Sequence, residues 1–404
     1  MRKDARIGCQ DSVSATQVQE RAGGLLAAAL ELQPHGYKCS VSTILLVLFL
    51  AAARVSSIHD ACARLERAPT GQAVFDALAD WLPSMRELEE RLNRALARQL
   101  PKGLFKKSRP LAVDYTEIPY YGRPYRAQRE LRRGKRKAGT SYFHCYATLY
   151  LLRRGYRYTV AVTYVWKDDT PVDVLERLLA RARALGLKTR YLLLDRAFYS
   201  VPVVQHLQAI GCPFLLPVVH RGRRPRPGSQ RVKGTRRFLA RKRSGWATHV
   251  MANRQSQAQV RIAVTFRRRK SKRARGGRGG RRRSRGRPLV FAFWGFGPPS
   301  PAWCRDTYRS RFGIESSYRQ MNQGRIRTCA RDPRLRLLLV GIALVLRNVW
   351  VWLHHAVLGR ICGLGVHLRL ERLRLRTMLL MLQRCAEQAL GCREQLPPLT
   401  ALGP

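Results

Sequence analysis

Two short apolar runs end in the same way, and they limit the fold more than any other feature of the chain. Leu111-Ala112-Val113-Asp114 and Tyr191-Leu192-Leu193-Leu194-Asp195 are each of strand length, and each closes on an aspartate. A carboxylate at the end of a buried strand costs free energy unless it is paired or bound to metal. The fold therefore has to bring each acid to a place that uses it.

A third acid lies on a helical stretch. Residues 308–322 contain no Pro and a single Gly, which costs about 1 kcal/mol in a helix interior. At ~3.6 residues per turn, Tyr308, Arg311, Glu315, Arg319 and Asn322 share one polar face. Phe312 and Met321 fall off that face and are expected to hold the helix to a core. Glu315 is the one carboxylate on the face, set among groups that bind phosphate well. Two strand-end aspartates and a helical glutamate can converge on divalent metal. Hard oxygen ligands suit Mg²⁺ or Mn²⁺, and two ions about 3.5–4 Å apart can activate and stabilise the oxygens of phosphoryl transfer.

Charge identifies the partner class. Lys and Arg number 77 against 25 acids, a formal net charge of +52. Such self-repulsion works against compactness, so it calls for a polyanion, most simply DNA or RNA and less readily an anionic membrane. The ten cysteines include no CxxC pair, which argues against a zinc ribbon and for a reduced, intracellular setting. The N-terminus lacks the basic-then-apolar layout of a secretion signal.

The pattern along the chain divides it. Residues 1–105 read as short helices: an Ala/Leu run at 25–32, an apolar segment at 43–55 too short to span a membrane, and Ala/Leu-spaced segments broken at Pro69-Thr70-Gly71. In outline this resembles a helix-turn-helix able to bind DNA ends, and equally any small helical bundle. From residue 111 the pattern turns to strands: a hairpin at 140–152 and 155–165, a helix at 170–186 with Pro171 near its start, the strand before Asp195, a helix at 201–210 and an apolar run at 213–219. Strand, hairpin, helix, strand, helix, strand is the order of a ribonuclease-H-like core, where the first and fourth strands lie side by side. The expected class is α/β, a mixed sheet with flanking helices and an all-α N-terminal region.

Residues 221–298 read as a β-rich insertion. Its tip, 267–287, holds 13 Lys or Arg among 21 residues and five Gly, and cannot bury enough to order itself. It is expected to act as a DNA clamp or to be a tolerated surface loop. Residues 106–220 and 299–404 would then form the two parts of the core. The apolar run at 337–346, interrupted by Arg347-Asn348, reads as a core helix rather than a membrane span. Rival acids have local explanations. Glu117 stands at odd spacing from Asp114, Asp168 and Asp169 sit at a hairpin end, and Asp173 lies in the first turn of a helix.

The chain resembles the DDE transposases of bacterial and archaeal insertion sequences, in particular the group with a Tyr-Arg-Glu-Lys signature. Two residues separate Tyr308 from Arg311, three separate Arg311 from Glu315, and six separate Glu315 from Asn322, where the signature has Lys. The resemblance also takes in Asp114 and Leu194-Asp195-Arg196-Ala197-Phe198-Tyr199. It implies that Asp114 bridges two Mg²⁺ or Mn²⁺ ions while Asp195 and Glu315 hold one each. Water then attacks at the element end, and the freed 3′-OH attacks target DNA. Tyr308 and Arg311 would grip phosphates near the cut, unless Tyr308 packs the helix and Arg311 pairs with Glu315. Arg319 or Arg325 would take over from the missing Lys at Asn322, and Arg196 would lie close to the DNA. Trp294 would stack an extruded base or fill the core. The implied partners are double-stranded DNA, as element ends and target, and a second copy of the chain in a synaptic dimer. No membrane is implied. The implied place is the cytoplasm, on the nucleoid.

Overall fold

The structure, a computed structural model, describes residues 13–32, 39–153, 156–222, 234–266, 287–358, 370 and 372–394. Five helices come first: α1 (Ala15–Leu30), α2 (Val41–Arg54), α3 (Ile58–Ala63), α4 (Gly71–Trp81) and α5 (Met85–Ala97). Then follow β1 (Arg109–Pro119), β2 (Arg132–Lys137), β3 (Thr140–Arg153), β4 (Tyr156–Val165), α6 (Pro171–Ala184), β5 (Thr189–Leu193), α7 (Val201–Ala209) and β6 (Phe214–Pro217). The remainder is β7 (Gly245–Ala252), β8 (Gln257–Phe266), β9 (Pro288–Trp294), α8 (Pro301–Arg309), α9 (Gly313–Asn322), α10 (Pro333–Leu353) and α11 (Leu375–Leu390). The class is the α/β mixture expected, with a mixed sheet, flanking helices and a helical N-terminal region.

The chain divides into two units that are not consecutive stretches. One holds residues 1–104, 115–168 and 315–404; the other holds 105–114 and 169–314. The boundaries fall next to two of the candidate acids, after Asp114 and before Glu315.

The second unit carries a mixed sheet. The start of β1 runs parallel to β5, with Leu111 opposite Leu192 and Ala112 opposite Leu193. Next, β5 runs parallel to β6, and β6 pairs antiparallel with β9. The β-rich stretch continues this sheet through β9, β8 and β7. Its basic tip lies outside the described residues except for Arg287. At β5 and β6 the sheet is buried on both faces, which explains runs that are apolar rather than alternating. The outer edge of β7 is covered by guanidinium groups: Arg241 donates to the carbonyl of Trp246 at 2.9 Å and Arg237 to that of Thr248 at 3.3 Å.

In the first unit, small polar caps cut the N-terminal segment into its helices. Ser14, Ser40, Ser57, Thr70 and Ser84 each accept a hydrogen bond from a backbone N–H three residues on, worth about 1 kcal/mol apiece. Helix α5 lies against β4 and finishes that strand's outer edge. Asn93 accepts from the Val162 N–H at 2.8 Å and donates to the Val162 carbonyl at 3.1 Å. Glu89 accepts from the Tyr164 N–H at 2.6 Å. From α10, Asn348 makes the same two-way bond with Thr159, at 3.0 and 2.8 Å.

Helix α10 is long and apolar enough to cross a membrane by length and composition, yet its most apolar window is 94% buried inside the protein. Its two polar interruptions are satisfied there. Arg347 donates to Gln320, to the Arg157 carbonyl and to Ser317, at 3.2, 3.0 and 2.9 Å. Burial still pulls the Arg347 guanidinium down to about 10. The core-helix expectation for this segment holds.

Candidate active site

Asp114 does not close its strand as expected but lies within β1, which runs on to Pro119, whereas Asp195 follows the end of the parallel neighbour β5. The paired register ends with Ala112 opposite Leu193, and beyond it both carboxylates lie close enough to act on Tyr308 and Arg311. Asp114 is buried, with 9% of its surface exposed, and Asp195 is half-buried at the start of the 3-10 turn Arg196–Phe198. Glu117, set aside as pointing away from Asp114, is exposed.

A cation already stands beside these acids. Nη1 of Arg311 donates to Oδ2 of Asp114 at 3.0 Å, and Arg311 is 6% exposed. Burial alone would lower the Arg311 guanidinium, but Tyr308, Asp114 and Asp195 around it hold it above the ordinary arginine value. Two ions taken out of water need such a match, because an uncompensated buried charge is costly. The Nε of Arg311 is buried and has no acceptor among the described residues. The Tyr308 ring packs 5.2 Å from Phe291, and burial pushes its phenol up. Thus Asp114, Asp195, Tyr308 and Arg311 form one cluster within the second unit.

The expected single polar face of residues 308–322 does not form. The stretch is the end of α8, a 3-10 turn at Ser310–Phe312, and then α9. A 3-10 turn winds about 120° per residue instead of about 100°, so the faces on either side of it part company. Tyr308 and Arg311 are buried, whereas Glu315, Arg319 and Asn322 are exposed. Phe312, expected to anchor the helix, is 50% exposed; Met321 is buried as expected. Helix α9 is held by residues the periodicity did not single out. Tyr318 bonds Thr148 at 2.6 Å, and Ser317 accepts from Arg347. The alternative of an Arg311–Glu315 pair gives way to the pair with Asp114. Glu315 opens the last segment of the first unit, in the opening turn of α9.

The remaining candidates differ in setting. Arg196 is exposed on the turn that follows Asp195. Arg325 is half-buried, which lowers its guanidinium, and its Nε donates to Oδ1 of Asn322 at 3.1 Å. Trp294 is half-buried on β9 and stacks on Phe214 with ring centres 6.4 Å apart. The more exposed aromatic of that sheet is Trp246 on β7, 36% exposed with the Arg261 guanidinium 5.9 Å from its ring. Its signal was the exposed alternation Trp246, Thr248, Val250 along one strand.

Among the described residues no group of three His, Cys, Asp or Glu side chains is gathered as a metal cluster. The donor chemistry nevertheless fits a hard divalent ion: two aspartate carboxylates close to one place that already accepts positive charge.

Comparison with known proteins points the same way. The transposase DDE domain family matches residues 106–349. No curated protein matches the chain. Seven solved chains do. One is a piggyBac transposase from the cryo-EM structure of its synaptic complex with hairpin DNA. It is 9% identical, with a TM-score of 0.55 over 95% of this chain and 82% of that one. At that identity the likeness is one of fold.

Proposed function

The chain belongs to the DDE transposase family, whose members cut and rejoin DNA with divalent metal ions, and we propose that Asp114, Asp195 and Glu315 are the three acids that hold those ions here. The observation that carries this reading is the buried Arg311 guanidinium held by Asp114 at 3.0 Å, with Asp195 also acting on it. The third carboxylate is assigned to Glu315 by the signature spacing, four residues beyond Arg311. Two Mg²⁺ or Mn²⁺ ions bound by such a set would lower the pKa of the attacking water and stabilise the leaving 3′ oxygen.

The protein's own side chains do the rest. The buried strands hold the Asp114 and Asp195 carboxylates in fixed positions, so little reorganisation is left for the reaction. Tyr308 packs behind Arg311 and fixes its plane. Exposed Arg196 and Arg319 neutralise backbone phosphates. Asn322, hydrogen-bonded to Arg325, takes the signature's Lys position, with the Arg325 charge directly behind it. The substrate is double-stranded DNA, first an insertion-sequence end and then a target, moved by cut-and-paste. Two copies of the chain hold the paired ends, on the nucleoid.

The test is a reaction of purified protein with DNA carrying the element's own ends, in Mn²⁺. Cleavage at the end followed by joining of its 3′-OH to a second duplex is expected. Cleavage without joining would make the protein a nuclease built on the same core.

A further inference from the structure

We infer that Arg311 is a tethered gate on the metal site, closed over Asp114 until a DNA phosphate draws it off. The inference rests on the reading of Asp114 as a metal ligand. Three observations carry it. First, Oδ2 of Asp114 already has a cation at 3.0 Å, both partners buried, and that oxygen cannot serve Arg311 and a metal ion equally well. A divalent ion entering beside a guanidinium meets like charge at short range, where little water screens it. Second, Arg311 sits on the 3-10 turn between α8 and α9, the kind of mid-helix break that marks a hinge. Third, Nε of Arg311 has no acceptor among the described residues, so the fork is only partly used. A phosphate offers several oxygens to the whole fork, and Arg binds phosphate in this bidentate way.

The consequence is coupling. Without DNA the pair fills the site and metal binds weakly. With a phosphate on Arg311, Asp114 is released and metal binds more tightly. By reciprocity, metal strengthens the hold on DNA by the same factor. The enzyme is thereby kept from loading its ions, and from cutting, away from its substrate.

Mn²⁺ titration of the full chain, read by the electron paramagnetic resonance of free Mn²⁺, tests this without measuring activity. If Asp114 is available in about one molecule in ten, Arg311→Met binds Mn²⁺ about tenfold more tightly than the wild type without DNA. Duplex DNA tightens Mn²⁺ binding by the wild type, beyond what the same DNA takes up alone, and does not do so for Arg311→Met. Equal or weaker Mn²⁺ binding by a folded Arg311→Met protein overturns the gate. The wild-type arm needs no variant: Mn²⁺ affinity unchanged by DNA overturns it as well. Asp114→Asn separates the two levels of the argument. If it leaves Mn²⁺ binding intact in both backgrounds, the ligand assignment itself is wrong; if it abolishes binding that Arg311→Met leaves unchanged, only the gate is.

Discussion

A buried carboxylate persists at position 114 because a guanidinium stands 3.0 Å from it. Arg311→Ala removes that partner, and breaking a buried ion pair costs about 3–5 kcal/mol, to be read by urea unfolding. His144 gives the clearest pH dependence. Burial, with Arg336 adding, pulls its imidazole from 6.5 down to about 3, and its Nδ1 lies 2.7 Å from the Tyr164 hydroxyl. Above pH about 6.5 both folded and unfolded chains carry it neutral, and it makes no pH-dependent contribution. Between about 6.5 and 3 only the unfolded chain takes up the proton, so stability falls with pH by about 1.4 kcal/mol per unit. Unfolding at pH 7 and pH 5 should show that loss, and His144→Gln should reduce it. Asn322 is exposed at the Lys position of the signature. Asn322→Lys should therefore steepen the salt dependence of DNA binding by about one unit of log–log slope. At this scale the sequence revealed Asp114 and Asp195, because an acid closing a short apolar run is conspicuous, though β1 runs on past Asp114. It hid the Arg311 pairing, because a uniform 3.6-residue period cannot register a 3-10 turn.

Strands and helices were more legible than their partners. The parallel neighbours β1 and β5, the hairpin of β3 and β4, and the buried helix α10 all follow from apolar runs and their order. The role of α5 did not. Its amphipathic pattern shows which face is buried, yet says nothing of a strand edge waiting for an amide. Asn93 and Asn348 occupy that edge with paired donor and acceptor, so β4 has no backbone groups left bare at Val162 and Thr159. Asn93→Leu leaves the Val162 N–H and carbonyl buried without partners, a loss of about 2–3 kcal/mol. A thermal melt checks it, and an unchanged melting temperature contradicts the edge role. The helices α1, α2 and α5 likewise pack on α10 and α11, contacts that only the folded chain reveals.

The charge of the whole chain, +52, and the three proposed acids would serve different steps. Binding to duplex DNA should lose about 0.9 units of log affinity per log unit of salt for each phosphate neutralised, whether or not the acids are intact. Residues 267–287, with 13 Lys or Arg, should set much of that slope, so their deletion flattens it without touching Asp114, Asp195 or Glu315. Chemistry, on the proposed assignment, would depend on three carboxylates from separate segments of the chain. The most direct test is Mn²⁺-dependent cleavage of end-containing DNA by Asp114→Asn, Asp195→Asn and Glu315→Gln, each compared with the wild type at equal DNA occupancy. The account predicts that every one of the three binds DNA with the wild-type salt slope and loses cleavage by at least about a thousandfold; cleavage retained by any of them contradicts it.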